Sequence, residues 1–205
     1  MKKLSKLSWK LTKRPENMRN FILKLKKLKG PDYIRWPLPN VFLGVTAEKQ
    51  EQADIRIPIL LSIPAETHFV SCEPMLGPVD LSLCLPNFLD FSYTTAPARL
   101  DWVICGGESG PKARPMHPDW ARTLRDLCEE SQTPFFFKQW GEWVNCLQTD
   151  TEFNPCKSHQ AWMMEDGIVM GETKNLTEAV LIHKIGKKKA GRLLDGQTWD
   201  EFPNE

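Results

Sequence analysis

Three glutamates and one lysine occupy the same kind of place in this chain. Glu48, Glu73 and Glu108 each come just after a short apolar run, and Lys138 comes directly after another. Val41–Val45 leads into Thr46-Ala47-Glu48, His68–Val70 into Ser71-Cys72-Glu73-Pro74, Trp102–Cys105 into Gly106-Gly107-Glu108-Ser109, and Pro134–Phe137 into Lys138-Gln139-Trp140-Gly141. Nearer the start, Trp9-Lys10-Leu11 leads into Thr12-Lys13-Arg14-Pro15 in the same way. Carboxylates brought together repel, which raises at least one pKa and calls for a cation: Lys13, Arg14, Lys138, a bound metal or an amine. Glu48, Glu73, Glu108 and Lys138 are therefore the candidate catalytic positions, with Lys13, Arg14 and Gln139 beside them.

Such residues meet only if the runs are neighbouring strands of one sheet. Trp102–Cys105 is short, apolar and partly β-branched, as expected of a strand covered on both faces in a parallel sheet. Helical patterns lie between most of the runs, and in α/β folds ligands sit at the carboxyl ends of the parallel strands. The reading is α/β: a partial TIM-type (βα) barrel of about five parallel strands in sequential order, with a C-terminal hairpin extension. Gly106 and Gly107 let the backbone turn sharply and approach a ligand. The N–H groups of Gly106, Gly107 and Gly110, with Lys138 and Arg114, can hold an anion, and Ser109, Gln139 and Trp140 line the same turn. Glu108 argues against a bare phosphate unless it points to a ribose or an amine. A lone glycine-rich loop is a weak motif, and the alternative, that the glycines only permit the turn, stays open.

The remaining chain supplies the frame. Pro15–Lys29 reads as a helix with a lysine-rich last turn and Gly30 as its stop. Glu48–Ser62 reads as a second helix that Pro58 kinks or divides, and His117-Pro118 opens a third. Pro74–Pro97 is irregular, with a short helix around Val79–Leu83. Ala161–Met164 and Ile168–Met170 flank Glu165-Asp166-Gly167, a hairpin signal. The boundaries drawn are 1–143 for the partial barrel and 144–205 for the hairpin and a lysine-rich extension, with Trp199 and Phe202 tucked back onto the body.

The net charge of +1 conceals a strong asymmetry. Residues 1–29 hold eleven Lys or Arg against Glu16 alone, a charge of +10, which leaves −9 for the rest of a chain whose total is +1. A basic end of this kind suits nucleic acid, an acidic partner, or simply the solvated face of an amphipathic helix. No run of about eighteen apolar residues is present, and the basic residues after Met1 break any signal-peptide core, so the expected location is the cytoplasm. The six cysteines are scattered without a C-x-x-C pair, which fits reduced thiols and gives no metal site.

Six blocks resemble a known family: LTKRPENM at Leu11–Met18, LPNVFLGVTAEKQEQADIRIPILL at Leu38–Leu61, FVSCEPMLGPVDL at Phe69–Leu81, WVICGGESGPKARPMHPDW at Trp102–Trp120, PFFFKQWGEW at Pro134–Trp143 and GKKKAGRLLDGQTWDEFP at Gly186–Pro203. In order, they are similar to the phage and prophage proteins named after gene products 37 and 68. The resemblance implies a radical-SAM-like barrel with a [4Fe–4S] cluster, S-adenosylmethionine and a companion called the three-Cys-motif partner protein. Family members carry clustered cysteines of the C-x-x-x-C-x-x-C type in strands ahead of the LTKRP block. This chain lacks that motif, and three thiolates on one tight loop are what leave an iron free for S-adenosylmethionine.

Three functions follow. The chain is the C-terminal part of a radical-SAM-like catalyst that needs a separate N-terminal half or self-association. Or it is a nucleotide- or nucleic-acid-binding module that uses Lys2–Lys29 and Lys184–Arg192, with Trp36 and Trp140 as stacking surfaces. Or it is a decayed prophage remnant without activity.

Overall fold

The structure, a computed structural model, describes residues 41–86, 98–149, 158–167, 169–170 and 179–203, together with Pro37 and Glu152. The expected strand at Trp9, the helix Pro15–Lys29, and Lys13, Arg14 and Trp36 lie outside the described residues.

Alternating short apolar runs and amphipathic helices give a parallel sheet. Its strands are β1 (Phe42–Thr46), β2 (Thr67–Cys72), β3 (Trp102–Gly106) and β4 (Phe135–Gln139), in the spatial order β1-β2-β3-β4. All three pairings are parallel, with Val45 beside Val70, Val70 beside Val103, and Val103 beside Phe135. The period of two then sorts the side chains. Val45, Val70, Cys72, Val103, Cys105, Phe135 and Phe137 are buried in the core, while Phe69, Trp102 and Phe136 are only half-buried on the opposite face. The expectation of sequential parallel strands holds for these four. No closed barrel is seen among the described residues.

Helix α1 (Gln50–Leu61) buries Ala53, Ile57 and Leu60, and Pro58 sits inside it. Of the two alternatives for Pro58, a kink or the start of a second segment, the second is ruled out. The helix continues past it, with the N–H of Ser62 donating to the Pro58 carbonyl at 3.1 Å, and gives up the bond that a proline nitrogen cannot donate. Helix α2 (Pro118–Ser131) opens with Pro118 at its first turn and His117 as its N-cap, the ring Nδ1 accepting from the N–H of Asp119 at 3.3 Å. It buries Trp120, Ala121, Leu124 and Cys128 and stops where Gln132 turns left-handed at φ 56°. The helix expected at Val79–Leu83 is instead a single 3₁₀ turn at Ser82–Cys84.

The C-terminal part is more of a sheet than a hairpin. β5 (Trp143–Val144), β6 (His159–Met163), β7 (Val169–Met170) and β8 (Val180–Lys184) form an antiparallel sheet in the order β5-β8-β6-β7. The β6–β7 hairpin is where the Glu165-Asp166-Gly167 signal put it, and it docks on α2 through a 2.6 Å bond from Trp120 Nε1 to the Glu165 carbonyl. Strand β8 is an apolar Val-Leu-Ile run, unassigned in the sequence, that leads into the lysine-rich stretch ahead of the short helix α3 (Lys187–Ala190). The chain end then covers the outer edge of β4. Phe137 N–H donates to the Trp199 carbonyl at 3.0 Å, and Glu201 N–H to the Phe135 carbonyl at 3.2 Å. Trp199 packs against Phe135, and Phe202 against Trp102 and Phe136, so the expected return of these aromatics is met.

One carboxylate ties the tail to α2. Asp195 accepts from Arg122 at 2.7 Å, Arg125 at 2.6 Å and Gln148 Nε2 at 2.8 Å, and its own N–H donates to Gln148 at 2.7 Å. These donors, Arg122 first, hold its carboxyl far below the usual carboxylate range. A carboxyl depressed in the folded state stabilises the fold above its unfolded pKa, near 4, and that contribution is lost as pH falls towards the folded value. Asp195→Asn is expected to lower the melting temperature at neutral pH and to flatten its fall below about pH 4. Thermal melts of both proteins over a pH series measure this.

Candidate functional site

The carboxyl ends of the four parallel strands are joined by backbone hydrogen bonds into one rim. Ala47 N–H donates to Ser71 at 3.0 Å, Leu76 N–H to Glu48 at 2.8 Å, Met75 N–H to Gly106 at 2.9 Å, and Gly107 N–H to Gln139 at 2.8 Å. The turns after β3 and β4 interlock more tightly still. A Cβ on Gly107 would lie 1.9 Å from the Trp140 carbonyl oxygen, and one on Gly141 would lie 2.1 Å from that of Glu108. Neither position has room for a side chain. Gly107 therefore serves a close approach of protein backbone, and Gly141, at φ +85°, serves both the approach and the turn.

At the centre of the rim, Glu73 receives Lys138 Nζ at 2.9 Å and Gln139 Nε2 at 3.4 Å. Gln139 Nε2 also donates to the Gly107 carbonyl at 2.9 Å and lies 3.4 Å from Ser109 Oγ. The set draws on three adjacent strands, with Glu73 one residue beyond β2, Ser109 in the turn after β3, and Lys138 and Gln139 in β4 itself. It provides a carboxylate acceptor, an ammonium donor and a hydroxyl at one edge, the arrangement that orients a polar ligand.

The other two glutamates have cations of their own. Glu48 accepts from Thr46 Oγ1 and from Arg56 Nη1, both at 2.9 Å. Glu108 takes Arg114 in a bidentate fork with both bonds at 2.8 Å and also accepts from the Arg114 backbone N–H. Arg114 holds the Glu108 carboxyl below its ordinary value. The expectation of one carboxylate cluster with a raised pKa is corrected at this residue, because a paired guanidinium favours the charged form. The expected cation is found for Glu73, where it is Lys138.

The anion cradle expected from the turn glycines also changes. Gly107 N–H is bonded to Gln139, and Gly110 N–H donates to Glu142 Oε1 at 3.0 Å. Trp140, expected as a stacking surface, is buried, with Nε1 donating to the Leu193 carbonyl at 2.6 Å and its ring edge-on to Phe137. It is a core residue.

Residues outside the expected set complete the rim. Trp140 N–H donates to the Gly191 carbonyl at 3.2 Å, which brings α3 against the end of β4. Lys138, Gln139, Lys187, Lys188, Gly191 and Arg192 then line a cleft of about 440 Å³. The lysine run was visible as a basic segment, but nothing local said that it would fold onto Lys138. Arg56 and Glu142 carried no signal of their roles either. A second cleft, of about 580 Å³, lies against α1 and the Ser82–Cys84 turn and includes none of the rim residues.

The thiols lie elsewhere. Cys72 and Cys105 are register partners on the buried face of the sheet, and Cys128 sits in α2. Burial pushes the Cys72 thiol up to about 12 and raises those of Cys105 and Cys128 as well. Among the described residues no three of His, Cys, Asp or Glu come together as a metal would need. No described helix is long and apolar enough to cross a membrane.

A family model described as "Protein of unknown function (DUF5131)" matches residues 1–203, and the chain belongs to that family. No curated protein and no solved structure matches it.

The interlock gives a direct test. Gly107→Ala must push the β3 and β4 turns apart and is expected to cost more than about 2 kcal/mol. At Gly77 the nearest atom to an added Cβ is Lys49 Cγ, at 3.5 Å, an ordinary contact. Gly77→Ala should therefore stay within about 0.5 kcal/mol, and urea denaturation of the two variants measures the contrast.

Proposed function

Taking membership of that family as the premise, we propose that this chain is the ligand-holding, substrate-side part of a radical-SAM-like phage protein, and that it does not itself carry the iron–sulfur cluster. The observation that carries the reading is the Glu73, Lys138, Gln139 and Ser109 set, hydrogen-bonded at the carboxyl ends of adjacent parallel strands, where α/β folds bind their ligands. Its roles follow from charge and direction. Lys138 neutralises Glu73 and can turn its remaining donors to an incoming ligand, Glu73 accepts from ligand hydroxyl or amine groups, and Gln139 fixes the relative position of the two turns.

The cluster that the resemblance implies does not fit the thiols described here. Such a cluster needs thiolates held together on one loop. Cys72, Cys105 and Cys128 are buried in the core with their pKa values raised, so they stay protonated where thiolates are required, and the partly buried Cys84 and exposed Cys146 belong to no group of three potential ligands among the described residues. The chain also lacks a C-x-x-x-C-x-x-C run anywhere in its 205 residues. The cluster cysteines in this reading lie outside these 205 residues, in an N-terminal part that this sequence does not contain or that is separately encoded.

Anaerobic reconstitution with iron and sulfide tests this. The expected result is iron far below one cluster per chain and no charge-transfer absorbance above the protein band. A stoichiometric four-iron cluster that cleaves S-adenosylmethionine in this chain alone would overturn it.

A further inference from the structure

We propose that His117 is an acid-sensitive latch: protonating its ring uncaps helix α2 and frees the β6–β7 hairpin held at the same helix end.

The latch is built from one buried ring. His117 is 1% exposed, and its Nδ1 accepts from the N–H of Asp119 at 3.3 Å. An accepting ring nitrogen carries no proton, so the proton of the neutral ring sits on Nε2. Nε2 is itself buried without a hydrogen-bond partner among the described residues. A second proton would therefore go onto Nδ1, where it faces the very N–H that Nδ1 now receives. The cap would be lost, and a buried cation with two unsatisfied donors would remain. The closed arrangement accepts only the neutral ring.

Nearby charges do not reverse this. Asp119 Oδ2 lies 3.7 Å from Nδ1, beyond hydrogen-bonding range, and Asp119 Oδ1 is taken by Arg122 at 2.6 Å. Glu165, on the hairpin, favours the charged ring, and Arg122 opposes it. Burial outweighs both carboxylates and holds the His117 pKa below its ordinary value. A histidine lowered in this way stabilises the closed form above its unfolded pKa, near 6.5, and that contribution is lost as pH falls towards the folded value.

The neighbours set what opens. The His117 carbonyl accepts the Trp120 N–H at 3.3 Å, and the two rings lie 6.1 Å apart. Trp120 is also where the hairpin is held. Its Nε1 donates to the Glu165 carbonyl at 2.6 Å, and the Gly167 backbone comes so close that an added Cβ would touch the Trp120 ring at 3.4 Å. Cap and dock thus share the first turn of α2, and loosening that turn loosens the hairpin with it.

Hydrogen exchange of the full chain at about pH 7.5 and about pH 5.5 tests the proposal, read as protection factors so that the intrinsic pH dependence of exchange is removed. Protection is expected to fall severalfold, and by no more than about tenfold, in residues 118–122 and 161–167 together, while β1 and β2 keep theirs. His117→Asn retains an N-cap acceptor but does not titrate in this range, so its protection should be the same at both pH values. Unchanged protection in the wild-type chain, or an equal fall in His117→Asn, overturns the proposal. A wild-type measurement covers the case of a variant that does not fold. Ring nitrogen shifts that show His117 charged at about pH 5.5, with α2 and the hairpin still protected, overturn it as well. None of these outcomes depends on an iron–sulfur cluster or on a ligand at the rim.

Discussion

Two backbone turns pressed together without side chains between them set the geometry of this protein. Gly107 lies against the Trp140 carbonyl and Gly141 against that of Glu108, so the turns after β3 and β4 share a space that a single methyl group would fill. The contact continues outward. Glu142 N–H donates to Glu108 at 3.0 Å, and the Glu142 carbonyl accepts from Ile185 and Gly186 at 3.1 and 3.2 Å. The parallel sheet, the antiparallel sheet and the lysine-bearing turn are thereby registered against one another. Gln139, whose amide joins Gly107, Ser109 and Glu73, sits at the middle of this arrangement.

Because the turns are closed by protein, the ligand-facing groups lie beside the glycine turn and not within it. The turn amides are bonded to Gln139 and Glu142, and the open polar groups are Glu73 and Lys138 on one side and the α3 lysines on the other. Electrostatics points the same way. Glu48 and Glu108 are each neutralised by an arginine from their own stretch of chain, whereas Glu73 is neutralised by a residue from a strand 65 positions away. Glu73 is thus the carboxylate that senses the relative placement of β2 and β4.

The alternation of side chains along each strand separates two chemistries. Cys72 and Cys105 take the buried parity, and the residues that follow them at the strand ends emerge at the rim. Burial keeps these two thiols protonated, while Glu73 and Glu108, one and three residues further on, are partly exposed. The ion pairs belong to the rim, and the sulfur atoms of Cys72 and Cys105 belong to the core, where Cys105 Sγ packs 3.6 Å from Met75 Sδ.

The sequence by itself determined the elements whose signals are local. Apolar runs ending in polar residues marked the four described parallel strands and their sequential order, Pro118 marked the start of α2, Glu165-Asp166-Gly167 marked a hairpin, and Trp199 and Phe202 marked the return of the chain end. Each rests on periodicity or turn chemistry that neighbouring residues express on their own. Only the tertiary structure decided which charges pair and which glycines carry weight. Glu73 with Lys138, Asp195 with Arg122 and Arg125, and Gly107 against Trp140 join residues dozens of positions apart, and composition cannot distinguish a glycine that cradles an anion from one that admits a carbonyl. The same holds for Trp140, which reads as a stacking surface from its polar neighbours but is buried because α3 and Leu193 fold over it. The packing of the lysine-rich turn beside Lys138 went unread because such a run looks solvated until a distant strand gives it a neighbour, and the short apolar run of β8 became a strand only by pairing with β5 and β6.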